Sequence, residues 1–386
     1  MEKTKYPSWP TYSRKEIHLV SSILKTGKTN FWTGKYCKIF ENKFAKYFSR
    51  KFAISVSSGS VALDLAVKSL ELKKNDEVLV TPRSYIASAS CVVSHNLKPV
   101  FVDVDLDSQN ILPEDIERKI TKKTKAIILV HLAGHSCEMS KIIKICKSKK
   151  IKIIEDCSQA HGAKYKSKLV GSFGDISIWS FCNDKIMSTC GEGGMITTNN
   201  YKYFKKIWAL KDCGKNIEKF KNTKFTPKFK WIHDTIGSNY RMTELQASVG
   251  IFQLNQLKKW TQKRNNFSNR IYKLIKKYNF IRIPLIPKNL FHSFYRCYFF
   301  IDLKKIKNRA LLINALRGVN IQCNVGSCPE IYLEKAFKDQ VKNIKRLKNA
   351  KILGETSIAL FINHNFTRMQ KNIFLNSLEK ILDKFK

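Results

Sequence analysis

From residue 52 onward the chain alternates short apolar runs with amphipathic stretches. Phe52–Val56, Glu77–Thr81, Pro99–Asp103, Ala126–His131 and the runs opening at Ile151, Ile176 and Met195 are rich in β-branched side chains. Polar or small residues close them, which is the pattern of buried strands. Between them lie helical patterns, among them an apolar-periodic stretch over Val61–Leu70 and a run of small residues from Tyr85 to about Asn96. The count is seven strands with helices between most of them. That order predicts an α/β architecture with a mostly parallel sheet and right-handed crossovers.

Ahead of this series stand a Pro-punctuated arm, a helix over Ser13–Leu24 and a second over Tyr36–Phe48. In the second helix Phe40, Phe44 and Tyr47 recur at helical spacing and read as core. After Asn200 a helix over Tyr203–Leu210 gives way to Lys211–Trp231, which is basic, aromatic and irregular, as suits a mobile or interface loop. Thr243-Glu244-Leu245-Gln246 is a capping-box pattern, and it opens a long helix with Leu245, Val249, Leu254, Leu257 and Trp260 on its apolar positions. Strands and helices then alternate again over Arg296–Leu303, Asn308–Arg317 and Gln370–Phe385. The expected division is a large domain with its arm at 1–245, then a linking helix and a small α+β domain at 246–386.

Composition changes this picture little. A chain of 386 residues that is 43% hydrophobic is globular and has a substantial core. Its formal charge of +41 invites a nucleic-acid reading. The basic residues are dispersed over the whole length, however, without a ribonucleoprotein, zinc-finger or arginine-rich pattern, so no specific nucleic-acid partner is expected. The dispersed charge also attracts polyanions, phosphorylated substrates included. The eleven cysteines are scattered singly, with no CxxC pair and no metal-type spacing. They read as reduced thiols in a cytoplasm, with no metal site. No run of about 18 apolar residues is present, so no membrane span is expected.

The chemistry concentrates between Lys150 and Asn199. The Ile151 run ends abruptly in Glu155-Asp156, which puts a carboxylate at the C-terminal end of a strand, where open α/β sheets place their ligands. The Ile176 strand carries Ser180 and leads into a loop with Lys185, followed by Gly191-Glu192-Gly193-Gly194. Earlier, Ser57-Ser58-Gly59-Ser60 joins a strand to a helix N-terminus, a ready anion site. One acid, one hydroxyl and one lysine around a sheet edge suit pyridoxal phosphate (PLP). That cofactor needs a lysine for a Schiff base and a carboxylate to keep its pyridine nitrogen protonated. Taken singly, each residue has a plainer reading: a solvated lysine, a capping aspartate, a capped helix. The ordered set carries the weight.

Three segments, IIEDCSQAHGA, SFCNDKIMSTCGEGGM and NYRMTELQASVG, stand in an order and at spacings that resemble the DegT-like (DegT/DnrJ/StrS) aminotransferases of nucleotide-linked keto-sugars. These are fold-type-I PLP-dependent enzymes, and the resemblance runs from Trp32-Thr33-Gly34 to the C-terminal domain. It implies that Lys185 is the Schiff-base lysine and the proton shuttle, that Asp156 partners the pyridinium nitrogen, and that Gln159 lies near the phenolic oxygen. It implies that Ser180 and the backbone of Gly59 and Ser60 bind the phosphate and that the Tyr85 ring stacks on the pyridine face. Asn239 corresponds to an asparagine that reaches the phosphate from a neighbouring subunit, which implies a homodimer with shared active sites. Two departures from the family pattern stand out: Ser58-Gly59-Ser60 in place of Asn-Gly-Thr, and Cys182 where many members have histidine. Lysine at 185, where the sugar dehydratases of the family carry histidine, argues for transamination.

The implied reaction moves an amino group from L-glutamate to a nucleotide-diphosphate 4-keto-6-deoxyhexose, for amino-sugar or polysaccharide biosynthesis. A lowered pKa is expected for Lys185 beside a cationic cofactor. The alternatives are a 3-keto sugar or a cyclitol ketone as acceptor and, from other classes, a nucleic-acid binder or a non-catalytic regulator on the same fold.

Overall fold

In the computed structural model of the chain, residues 6–221, 229–341 and 344–386 are described. Among them, seven strands form one sheet: β1 (Phe52–Val56), β2 (Glu77–Val80), β3 (Lys98–Phe101), β4 (Thr124–Val130), β5 (Lys152–Asp156), β6 (Ile176–Ser180) and β7 (Gly194–Thr198). Their spatial order is β1-β7-β6-β5-β4-β2-β3. The pairs β3–β2, β2–β4, β4–β5 and β5–β6 run parallel, and β7 runs antiparallel to both of its neighbours. The strand expectations hold to within a few residues.

Both faces of this sheet are buried, so the strands need apolar side chains on each side. Ile54, Val80, Ile128, Ile154 and Ile178 pack on one face with the helices Gly59–Ser69 and Ala87–Val93. Leu79, Ile127, Leu129 and Ile153 pack on the other with the helix Met139–Ser148. The helix Tyr36–Tyr47 inserts Phe40 and Phe44 into a third cluster with Trp179 and Phe181.

Thr243 and Gln246 form the expected reciprocal cap of the helix Glu244–Ile275. This helix is 32 residues long and serves two cores. Leu254 and Leu257 belong to the cluster around Phe40, whereas Phe267, Ile271 and Ile275 belong to a cluster with Phe299, Phe374 and Leu378. The second cluster lies against an antiparallel sheet of Ile281–Arg282, Cys297–Ile301, Ser357–Leu360 and Cys323–Asn324, in that order. Helices Arg309–Gly318 and Arg368–Asp383 match the C-terminal expectations, while the helix Lys348–Thr356 and the strand Ser357–Leu360 had no expectation of their own.

One expectation needs correction. The stretch Lys211–Trp231 is less irregular than its composition suggests: Lys211 ends a helix and Ile217–Lys221 forms another. Residues 222–228 of that stretch lie outside the described residues. Lys211 is fully buried, 3.7 Å from Glu41 and with its Nζ 3.8 Å from the centre of the Phe31 ring. A basic run is not uniformly a solvated face.

Candidate active site

Asp156 ends β5, the central strand, level with Val130 of β4 and Ile178 of β6. It is 5% exposed. Its Oδ1 accepts the Ser158 N–H at 3.0 Å, and its Oδ2 lies 3.5 Å from the Ser88 hydroxyl. Among the described residues it makes no ion pair. Burial raises its pKa, with Ser158 and the charge of Lys185 opposing. A buried carboxylate with so little compensation is suited to a cationic ligand atom.

The preceding residue, Glu155, supports this strand end from beneath. It is completely buried, and its carboxylate accepts the N–H groups of Gly171, Phe173 and Gly174 at 2.6–2.8 Å. His131 Nε2 lies 3.1 Å away and Arg50 3.5 Å away. The Cys137 N–H donates to His131 Nδ1 at 3.0 Å, which leaves Nε2–H to donate to Glu155. His131, Glu155 and Cys157 are close enough to one another to hold a metal ion. With these hydrogen bonds in place, the group reads as structural support.

The helix N-terminus expected to hold an anion presents backbone. Ser58 caps the helix Gly59–Ser69, its hydroxyl accepting the Val61 N–H, so Gly59 and Ser60 present the first N–H groups of the helix. There is no room for a side chain at Gly59, because a Cβ would sit 2.5 Å from Ser180 Cβ. A Cβ on Gly194 would sit 2.3 Å from the Ser58 carbonyl oxygen. The glycines therefore bring the helix N-terminus and the Ser180 hydroxyl together. Small residues at 59 and 194 permit this close approach.

Lys185 lines a cavity of about 490 Å³ together with Tyr85, Gln159, Asp184, Tyr295 and Arg296. Its carbonyl accepts the indole N–H of Trp9 at 2.6 Å, which fastens the N-terminal arm to this loop. A lowered lysine pKa is expected beside a cationic cofactor; the direction for the free side chain is the opposite. Burial pulls it down, but Tyr295 and Asp184 outweigh that, and the pKa is raised. The Gln159 amide oxygen accepts the Ala133 N–H at 3.0 Å, leaving its NH₂ for the cavity. The Tyr85 ring is 67% exposed on the cavity rim.

Of the predicted residues Tyr85, Gln159 and Lys185 line the cavity, Asp156 and Ser180 end neighbouring strands with Gly59 packed on Ser180, and Asn239 stands apart from both groups. It is exposed and pairs with Asp212 in an isolated bridge. The sequence reading missed Asp184, Tyr295, Arg296, Trp9 and the Glu155–His131 support. Asp184 adjoins Lys185 and was visible as a second acid, but nothing local marks Trp9 or Tyr295.

The donor set fits PLP. It offers an amine at Lys185, a buried carboxylate without a cation at Asp156, and a helix N-terminus with a hydroxyl at Gly59, Ser60 and Ser180. The comparisons agree. The chain is 40% identical over 286 residues to a GDP-perosamine synthase of Escherichia coli O157:H7, covering 74% of this chain and 75% of that one. It is 35% identical over 300 residues to the dTDP-3-amino-3,6-dideoxy-alpha-D-galactopyranose transaminase of Aneurinibacillus thermoaerophilus, covering 78% of each. An aminotransferase from Psychrobacter cryohalolentis superposes with a TM-score of 0.96 at 38% identity, covering 99% of this chain and 100% of that chain. Residues 10–378 match the family pattern, and the chain belongs to the DegT/DnrJ/EryC1/StrS aminotransferase family of PLP-dependent nucleotide-sugar enzymes.

Proposed function

We propose that the protein transfers an amino group from L-glutamate to a nucleotide-diphosphate-linked 4-keto-6-deoxyhexose, with Lys185 as the reacting lysine. The observation that carries this reading is that Asp156 and Ser180 end adjoining strands, with Gly59 packed against Ser180 and Lys185 on the loop that follows. When bound, PLP supplies an electron sink for the carbon that loses and regains a proton. The chain does the rest. Asp156 would keep a proton on the ring nitrogen, and Gly59, Ser60 and Ser180 would hold the phosphate. Gln159 would donate to the cofactor through its free amide N–H, Tyr85 would pack against it, and Lys185 Nζ would hold and move the proton. Asn239 of a second copy completes the phosphate site, so the working unit is a homodimer. A cytoplasmic setting belongs to this reading and is supported by eleven unpaired cysteines.

The GDP-perosamine relative supports a nucleotide-linked sugar acceptor. The transaminase named for a 3-amino sugar supports a second reading, with a 3-keto sugar as acceptor. Absorbance spectra of the protein with PLP decide between them. Glutamate should bleach the cofactor band, and only the true keto-sugar nucleotide from a panel of 3- and 4-keto compounds should restore it. Lys185→Ala should abolish the starting band. A protein that shows no cofactor band at all overturns the proposal.

A further inference from the structure

Lys185 does not face its cavity alone. Its Nζ lies 3.2 Å from Asp184 Oδ1 and 3.4 Å from the Tyr295 hydroxyl. That hydroxyl donates to Asp184 Oδ2. Arg296 donates to the same carboxylate oxygen at 3.1 Å and to the Tyr295 hydroxyl at 3.2 Å. The Arg296 guanidinium packs over the rings of Tyr295 and Phe361, 4.1 Å from each centre. None of these three side chains has a part in the chemistry proposed above.

We infer that Asp184, tied down by Tyr295 and Arg296, is the positioning carboxylate of Lys185: it keeps the proton on the free Nζ and fixes where that proton is delivered. The inference rests on the reading of Lys185 as the reacting lysine. A proton shuttle must be charged at the right moment and aimed at one point, and a loose lysine is neither.

The surroundings decide the sign. Asp184 comes from the lysine's own loop, and Tyr295 and Arg296 come from the segment entering Cys297–Ile301. Asp156 approaches from the end of β5 and His161 from the loop that follows it. Arg264, from the helix Glu244–Ile275, is buried and donates to the Phe294 and Ile362 carbonyls. His161 is fully buried and held near neutral form, its pKa pushed down to about 3 by burial and then by Lys185. Arg296 and Arg264 oppose a further cation, while Asp184 and Asp156 favour one. Attraction falls with distance. Asp184 is in contact with the lysine, and Asp156 makes no ion pair with it. Asp184 is itself 46% exposed, so solvent weakens its field. Tyr295, only 6% exposed, offsets this by holding the carboxylate on the lysine side.

The test reads the lysine directly. The full chain, freed of cofactor, is acylated with limiting acetic anhydride between about pH 7 and 11, and the labelling of Lys185 is followed by peptide mass. Asp184→Asn should lower the labelling midpoint by about one unit, which raises labelling about tenfold at a pH below it. Asp184→Glu should restore most of the midpoint, and Tyr295→Phe should lower it by less than Asp184→Asn does. An unmoved midpoint in folded Asp184→Asn overturns the inference. If that variant does not fold, an unmoved midpoint in Tyr295→Phe does so. A separate arm adds PLP to the unaltered protein, where Lys185 should become protected from acylation. Absence of protection overturns the reading of Lys185 as the reacting lysine, whereas the midpoints still report the Asp184 pairing.

Discussion

Glu155 and Asp156 are neighbours in sequence whose carboxyl groups are driven in opposite directions. Successive side chains of a strand point to opposite faces, so one faces a saturated pocket and the other the site. Burial would raise Glu155, but His131, Arg50 and the Gly174 N–H bring it down to about 2. Asp156, with Ser158 as its close donor, is raised by the same burial. One acid is spent on holding the strand end, and the other is left to meet a ligand.

Glu155 therefore contributes stability with a defined pH dependence. Its folded pKa lies below its unfolded value of 4.5. The contribution is complete above the unfolded value and is lost as pH falls toward about 2. Glu155→Gln should cost about 3–5 kcal/mol near neutral pH, because Arg50 is left buried without its partner charge. The acid-side slope should flatten as well. Urea unfolding as a function of pH checks both.

On the proposed reading, Asp156→Asn should leave PLP attached, since Lys185 and the phosphate site at Gly59, Ser60 and Ser180 are untouched. The rate of the glutamate half-reaction should fall by roughly 10²–10⁴, the range expected for loss of a group that controls a proton. Single-turnover absorbance measures it. A rate within about threefold of the parent would remove Asp156 from the proposed role.

Gly59→Ala puts a Cβ where Ser180 Cβ already stands, 2.5 Å away. Either the helix N-terminus or the hydroxyl must move, so the anion site opens. PLP affinity should weaken by roughly tenfold or more, equivalent to about 1.4 kcal/mol. Equilibrium titration of the cofactor band reads this change.

The proposed sharing of sites between two copies makes a sharper prediction. Lys185→Ala and Asn239→Ala chains should each be impaired alone. Co-expressed as hybrid dimers, they should regain one intact site, with Lys185 from one subunit and Asn239 from its partner. Activity at limiting PLP should recover toward half that of the parent. Hybrids with no recovery would place Asn239 in its own subunit's site.

The seven strands, the helix caps and the strand-end positions of Asp156 and Ser180 were legible because each depends on local pattern. An apolar run ending in acids is a strand end wherever it folds, and Thr243 and Gln246 cap whatever helix they open. What surrounds Lys185 was decided by tertiary structure. Tyr295 lies 110 residues away along the chain and Trp9 lies 176 away. Neither stands in a motif that names its partner. Lys211 makes the same point: it reads as one more surface lysine until Phe31 and Glu41 enclose it. Periodicity records which face of an element is buried. It does not record which side chain from a distant element will arrive there, as Tyr295 and Arg296 arrive beside Asp184 and Lys185.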